Sequence, residues 1–229
     1  MIKKSLAFTL GEILIALTVI GVVAVLVMPQ IVLGQKAAKA KSQFDTAYSL
    51  MARAIADMDS DEVSINPNDY KTGVTFREQF KKYNKITIDN YTLSENVHYK
   101  TRAKGTPVAA NMAFFDDGKF VLNNGMIVMI ENPNNNPNGL LVSVDINGEK
   151  QPNKWGYDLF TFEVIGDDIY PVGAPGTGQA TNAKTQWGAS RANVKKFCDD
   201  KEQSNLNGIT CAYFASSDEE YFKKVYNGH

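Results

Sequence analysis

The stretch FTLGEILIALTVIGVVAVLVMP, Phe8 to Pro29, decides how this chain is built. From Ile13 to Gln35 no residue is charged, and Ile13 to Met28 is aliphatic apart from Ala16, Thr18, Gly21 and Ala24. That is near the ~20 residues an apolar helix needs to cross ~30 Å of hydrocarbon. One carboxylate, Glu12, interrupts the beginning of the run. An acid in a membrane segment costs free energy unless something pairs with it, so Glu12 needs a partner. Lys3 and Lys4 precede the run, and the positive-inside tendency keeps them in the cytoplasm. Everything after Pro29 then emerges on the far side.

The rest of the chain fits one head on that anchor. Of 229 residues, 44% are hydrophobic and 21% charged, enough for a membrane helix and one modest domain but hardly for two independent cores. A formal net charge of -1 gives no global basic field for capturing nucleic acid. His98 and His229 are too few and too scattered for a histidine metal site. An ordinary secretory signal places its small-residue cleavage site after the apolar run. Here the small residue, Ala7, comes before it, which argues for cleavage on the cytoplasmic side with the helix retained. The simpler alternative is a plain signal anchor whose Glu12 snorkels to the interface.

Lys3-Lys4-Ser5-Leu6-Ala7 followed by Phe8-Thr9-Leu10-Gly11-Glu12-Ile13-Leu14 resembles the leader and mature N-terminus of type IV pilins and type II secretion pseudopilins. The resemblance covers about residues 3 to 30 and says little about the head. It implies cleavage by a prepilin peptidase between Ala7 and Phe8, followed by N-methylation of Phe8. Glu12 then falls fifth and Pro29 twenty-second in the mature chain, where the family commonly has Glu and Pro. Two departures stand out: Ala7 replaces the usual Gly before the cut, and Gly11 stands where Ile or Val is common. In a fibre the Phe8 amine of one subunit would pair with Glu12 of a neighbour, so charge would set the register of stacked helices. The implied domains are a leader over 1–7, a membrane or filament-core helix over 8–29, and an extracytoplasmic head over 30–229 whose spine helix is 30–58.

Pro29 removes a backbone donor and is expected to kink or locally melt the helix. Beyond it, Phe44, Tyr48, Met51, Ile55 and Met58 recur at helical spacing, with Lys36, Lys39, Lys41, Asp45 and Arg53 opposite. One helix from about Phe8 to Met58, about 75 Å at ~1.5 Å per residue, accounts for both halves. Asp59-Ser60-Asp61-Glu62 ends it, and Asn66-Pro67-Asn68-Asp69 reads as a turn. Phe76, Phe80 and Tyr83 predict a short second helix over Thr75 to Tyr83, and Ile86 to Asn111 has no clear pattern. From Ala113 the pattern becomes strands: Ala113–Phe115, Lys119–Leu122, Met126–Ile130, Leu140–Val144 and Leu159–Val164. Asp117-Gly118 and Asn124-Gly125 supply hairpin turns, and Asn132 to Asn138 reads as a solvated loop. The expected fold class is therefore α+β, a long N-terminal helix laid on one face of an antiparallel meander, as in pilin-like heads.

Few constellations in the head suggest chemistry. Asp145, Asn147, Glu149 and Asp158 offer hard oxygens around an Asp-x-Asn-Gly opening, a candidate calcium set. The glycine falls too early for an EF-hand and no Glu sits at the twelfth position. Major pseudopilins bind calcium in a loop of this general location, so the resemblance supports the idea. The competing reading is an Asx-rich loop with Trp155 packed on the sheet. Cys198 and Cys211 form a disulfide if the head is exported, closing a loop of about a dozen residues and stabilising the fold by about 3 kcal/mol. Type IV pilins commonly carry such a C-terminal loop, and the alternatives are a zinc site without enough ligands or reactive thiols. Gly173-Ala174-Pro175-Gly176-Thr177-Gly178 reads as a linker, lacking the Gly-Lys-Ser/Thr of a phosphate loop. There is no Gly-x-Ser-x-Gly elbow and no supportable Cys-His dyad. Arg191, Lys195 and Lys196 are followed at once by Asp199, Asp200 and Glu202, a solvated face rather than a nucleic-acid groove.

The expectation is a non-enzymatic structural subunit, of minor rather than major type, in a type IV pilus or type II secretion pseudopilus. Its partners would be other pilin or pseudopilin subunits, prepilin peptidase, an inner-membrane assembly platform and, before assembly, membrane lipid. It would start in a bacterial inner membrane with its N-terminus cytoplasmic. No cofactor is required apart from the calcium suggested above. The alternative is a filament-tip module contacting DNA or a surface ligand, which would need a basic groove with exposed aromatics. A membrane-tethered enzyme is disfavoured for want of a nucleophile and base.

Overall fold

Helix α1 runs from Leu10 to Ser60, 51 residues, in the computed structural model of the chain, which describes residues 9–66, 69–70, 73–131, 140–178 and 191–227. It starts on Thr9 as N-cap and continues through Pro29 without a break. The expected local melting does not occur: the ring removes one donor, and intact turns on both sides carry the helix across. The expected boundary at Phe8 lies outside the described residues. At the other end Asp61 caps the helix, Glu62 enters left-handed backbone at φ 56°, and the Val63 N–H closes on the Met58 carbonyl at 2.9 Å.

The two halves of α1 have different surroundings. Its apolar N-terminal surface is open to solvent, from Leu10 at 81% to Val32 at 47% exposure. Burial begins at Ala37 and continues through Ala40, Phe44, Ala47, Met51, Ala54, Ile55 and Met58. The expected stripe is confirmed with Tyr48 only half-buried, and widened by four alanines whose small side chains let the helix approach the sheet closely. This half packs on the strand Asp168–Pro171 and on the C-terminal helix Tyr221–Asn227.

A short helix α2, Gly73–Phe80, continues into a 3-10 turn at Lys81–Tyr83, close to the expected second helix. Six strands then form one antiparallel meander in sequential order: β1 Ile86–Ile88, β2 Lys119–Leu122, β3 Ile127–Glu131, β4 Leu140–Asp145, β5 Leu159–Ile165 and β6 Asp168–Pro171. The pairings Val128↔Val144 and Val142↔Phe162 set the central register. Among the described residues three short helices follow: α3 Arg191–Lys196, α4 Cys211–Ser217 and α5 Tyr221–Asn227.

Several expectations are corrected. Ala113–Phe115 is not a strand: Met112–Phe114 is a 3-10 turn, because Asn111 Oδ1 accepts the Ala113 N–H at 3.2 Å and starts it. Asp117-Gly118 therefore leads into β2 rather than turning a hairpin, while Asn124-Gly125 turns as expected, with Gly125 at φ 84°. Strands β1 and β6 were not anticipated; β6 is joined to β5 through Gly166 at φ 59°. At the turn Asn66–Asp69 the Asp69 N–H reaches the Asn66 carbonyl at 3.0 Å, while Pro67, Asn68 and the loop Asn132 to Asn138 lie outside the described residues.

The largest correction concerns the sheet, which buries both faces rather than one. Every residue of β3 and β4 is buried, as continuous apolar runs such as Ile127-Val128-Met129-Ile130 require. One face, with Phe120, Val128, Val142, Phe160 and Phe162, meets α1, α2, α4 and α5. The other, with Ile127, Met129, Leu141 and Leu159, is covered by Tyr99, Phe114, Phe115, Trp155, Phe197 and Ile209 from irregular segments.

Candidate functional site

Two regions concentrate the expected functional residues: the start of α1, and the β4–β5 loop with the C-terminal segment packed on it. At the start of α1, Thr9 and Glu12 form a reciprocal capping box. Thr9 Oγ1 accepts the Glu12 N–H at 3.3 Å, while Glu12 Oε2 accepts the Thr9 N–H at 2.8 Å and the Thr9 hydroxyl at 2.9 Å. The carboxylate thus satisfies donors at the positive end of the helix macrodipole. The signal was the Thr-x-x-Glu spacing, which sequence reasoning passed over in favour of an intersubunit role. Ala7 and Phe8, the expected processing pair, lie outside the described residues. Glu12 and Pro29 both sit on the exposed half of α1, which is long and apolar enough to cross a membrane by length and composition.

In the β4–β5 loop the structure brings together three of the four expected oxygen donors. Asp145 and Asp158 are fully buried, and Asn147 lies between them. Asp145 accepts the Tyr99 hydroxyl at 2.9 Å and the Asn147 N–H at 3.1 Å. Asp158 accepts the N–H groups of Asn153 at 2.8 Å and Lys154 at 2.6 Å, and the Asn147 amide at 3.1 Å. Glu149 stands apart, accepting from Ser94 and from the Tyr91 hydroxyl. Asn153, which the sequence reading did not single out, is fully buried beside Asp158, and its Oδ1 and that of Asn147 are buried without a hydrogen-bond partner. Burial, then the charge of Asp158, pushes Asp145 up to about 8; burial pushes Asp158 up to about 6 against the donors it accepts.

Trp155 is fully buried, with Nε1 donating to Thr161 Oγ1 at 3.0 Å, which in turn shares a hydrogen bond of 2.8 Å with Ser143. Trp155 is thus packed on the sheet beside the loop. Gly156 follows at φ 76°, where a Cβ would meet Cys211 Sγ and Tyr221 Oη at 2.8 Å each. Cys198 and Cys211 are joined in a disulfide with Cα atoms 5.1 Å apart. The segment between them docks on the same loop: a Cβ on Gly208 would overlap Trp155, and Asp200 pairs with Arg102 at 2.8 Å and Lys104 at 2.6 Å. Arg102 also lies over the rings of Tyr157 and Tyr221. Lys196 pairs with Glu202 at 3.7 Å.

The stretch Gly173 to Gly178 is not a free linker. Thr177 is buried, its hydroxyl accepts the Gly173 N–H at 2.9 Å, and the Gly178 N–H donates to Glu163 at 2.5 Å. The reason is Glu163, a buried acid on β5 that needs a donor. Burial pushes its carboxyl up to about 7, partly offset by that N–H. Folded Glu163 holds its proton more tightly than the unfolded chain does, so its contribution to stability is present at acid pH and lost as pH rises through about 7. Thermal melts from pH 5 to pH 8 should show stability falling for this reason by something of the order of 3 kcal/mol. Glu163→Gln should make the overall fall shallower by that amount, the rest coming from Asp145, Asp158 and Glu131, which burial also raises; an unchanged slope would exclude Glu163 as a source.

Compared with known proteins, the chain matches no family model, no curated protein and no solved structure.

Proposed function

We propose that the chain is a structural subunit of a type IV pilus or type II secretion pseudopilus, of minor rather than major type, cut between Ala7 and Phe8 and assembled through the first half of α1. The observation that carries the reading is the division of that helix. Residues 37–58 are the spine of a folded head, while Leu10 to Val32 offer apolar surface that no part of the described chain covers. Such a surface needs lipid or copies of itself, and the first environment can be exchanged for the second. The order of Lys3, Lys4, Ala7, Phe8, Glu12 and Pro29 supplies the processing half of the argument. The subunit begins in the bacterial inner membrane with its head extracytoplasmic and works mechanically, so the reading assigns it no catalytic residue.

A filament-tip module contacting DNA or a surface ligand is the alternative within the same family. It draws no support from the basic residues Arg102 and Lys104, which are committed to Asp200. Mass analysis of the N-terminal peptide, from cells with and without a prepilin peptidase, tests the proposal. The expected product begins at N-methylated Phe8 only when the peptidase is present. A chain that still begins at Met1 beside an active peptidase contradicts it.

A further inference from the structure

The carboxylates of Asp116, Asp117 and Glu131 converge where the chain enters β2, one oxygen from each lying within 4.8 Å of the others. Backbone pairing brings them there. The Asp117 N–H donates to the Ile130 carbonyl at 3.1 Å and the Ile130 N–H to the Gly118 carbonyl at 2.9 Å, which clamps the entering loop beside the last residue of β3. Gly118 has φ 143°, and a Cβ there would overlap the Arg77 side chain, so glycine is required.

Glu131 makes this more than a cluster of surface acids. It is only 8% exposed, and its Oε2 is buried with no hydrogen-bond partner. A buried carboxylate oxygen without a donor is costly, and here its neighbours add negative charge. Burial first, then the charges of Asp117 and Asp116 and a side-chain hydrogen bond with Asp116, push Glu131 up to about 8, while Oε2 stays without a donor. Among the described residues, nearby cations do not neutralise it. Arg77 directs its guanidinium to Glu78, Asp89 and the Lys119 carbonyl. Lys119 is half-buried and feels Asp116 and Asp117, but it forms no ion pair with Glu131 among the described residues.

Such a group is relieved by a shared proton or by a metal cation. Oxygens bound to one calcium ion at ~2.3–2.6 Å lie at most about 5 Å apart, which spans the observed separation; around magnesium the limit is about 4.2 Å, so the acids would have to draw together. We propose that Asp116, Asp117 and Glu131 form a binding site for a divalent cation of the calcium class, which ties the entrance of β2 to the end of β3. This is separate from the set expected at Asp145 to Asp158 and does not depend on the filament reading.

The test is calorimetric titration of the detergent-solubilised full chain, stripped with EDTA, with calcium chloride at neutral pH, alongside thermal melts. The proposal expects saturable binding, a rise of several degrees in Tm, and affinity weakened about tenfold or more in Glu131→Gln and in Asp116→Asn. Glu131→Gln keeps the shape of the side chain and removes the buried charge, so its fold, checked by circular dichroism, should persist. Absence of binding to the wild type overturns the proposal in favour of the shared proton. Binding that survives both substitutions but is lost in Asp158→Asn overturns it by placing the ion in the β4–β5 loop.

Discussion

Replacing Glu12 with leucine is expected to leave a protein that is processed and held in the membrane but yields no sheared filaments. Among the described residues Glu12 serves the capping box, and its side chain is exposed at the helix start. Removing a cap frays the first turn without reaching the core, which begins at Ala37. The melting of the head should therefore be unchanged. What is lost is the carboxylate that a neighbouring subunit's N-terminal amine would meet as the helices leave lipid for one another. Thr9→Ala separates the two roles: it removes the cap hydroxyl but keeps the charge. Filament yield on immunoblots of sheared fractions should survive Thr9→Ala and vanish in Glu12→Leu. If both variants assemble equally well, the charge-pairing account of Glu12 is wrong.

Phe44→Ala is expected to produce the largest loss of stability from a single side chain in the head, about 3–5 kcal/mol. Phe44 is 1% exposed and joins three elements at once. Its ring centroid lies 4.8 Å from Phe160 and 6.0 Å from Phe162 on β5, and 5.8 Å from Phe222 on α5. Truncation opens a cavity where helix, sheet and C-terminus meet, and rigid aromatic neighbours cannot collapse into it. Ser49→Ala, on the exposed side of the same helix, serves as the control with little effect. Thermal melts of both variants in detergent measure the difference. A Phe44→Ala protein as stable as the wild type would mean that α1 does not dock on β5 and α5 in this way.

Much of this architecture was legible in the sequence because it rests on periodicity. Phe44, Met51, Ile55 and Met58 announce the spine at helical spacing, and β3, β4 and β5 announce themselves as apolar runs bounded by turns. Strand β1 was hidden because Ile86-Thr87-Ile88 is three residues long and pairs irregularly with β2. Strand β6 was hidden because half of it is exposed, with Asp168 and Tyr170 outward. The second core was harder still. Tyr99, Phe115, Trp155 and Ile209 come from four irregular segments, and no local period records that they meet.

The candidate site divided along the same line. Cys198 and Cys211 were the only two cysteines available, so their pairing followed once export was assumed. Asp145 and Asp158 were recognisable as oxygen donors, but Glu149 was grouped with them by sequence proximity, whereas its carboxylate turns to Tyr91 and Ser94, far back in the chain. Asn153 and Glu131 were missed because burial, not residue type, makes their oxygens conspicuous. The cap at Thr9 is written in the Thr9-x-x-Glu12 spacing itself.

The most direct test of the central claim is electron cryo-microscopy of filaments sheared from cells that make this chain together with its assembly partners. The account predicts a helical polymer with residues 10–32 of this chain at its axis, packed on the same segment of adjacent subunits, and the sheet-bearing heads outside. Filaments that lack the chain, while all of it remains in the bilayer fraction, would contradict the account.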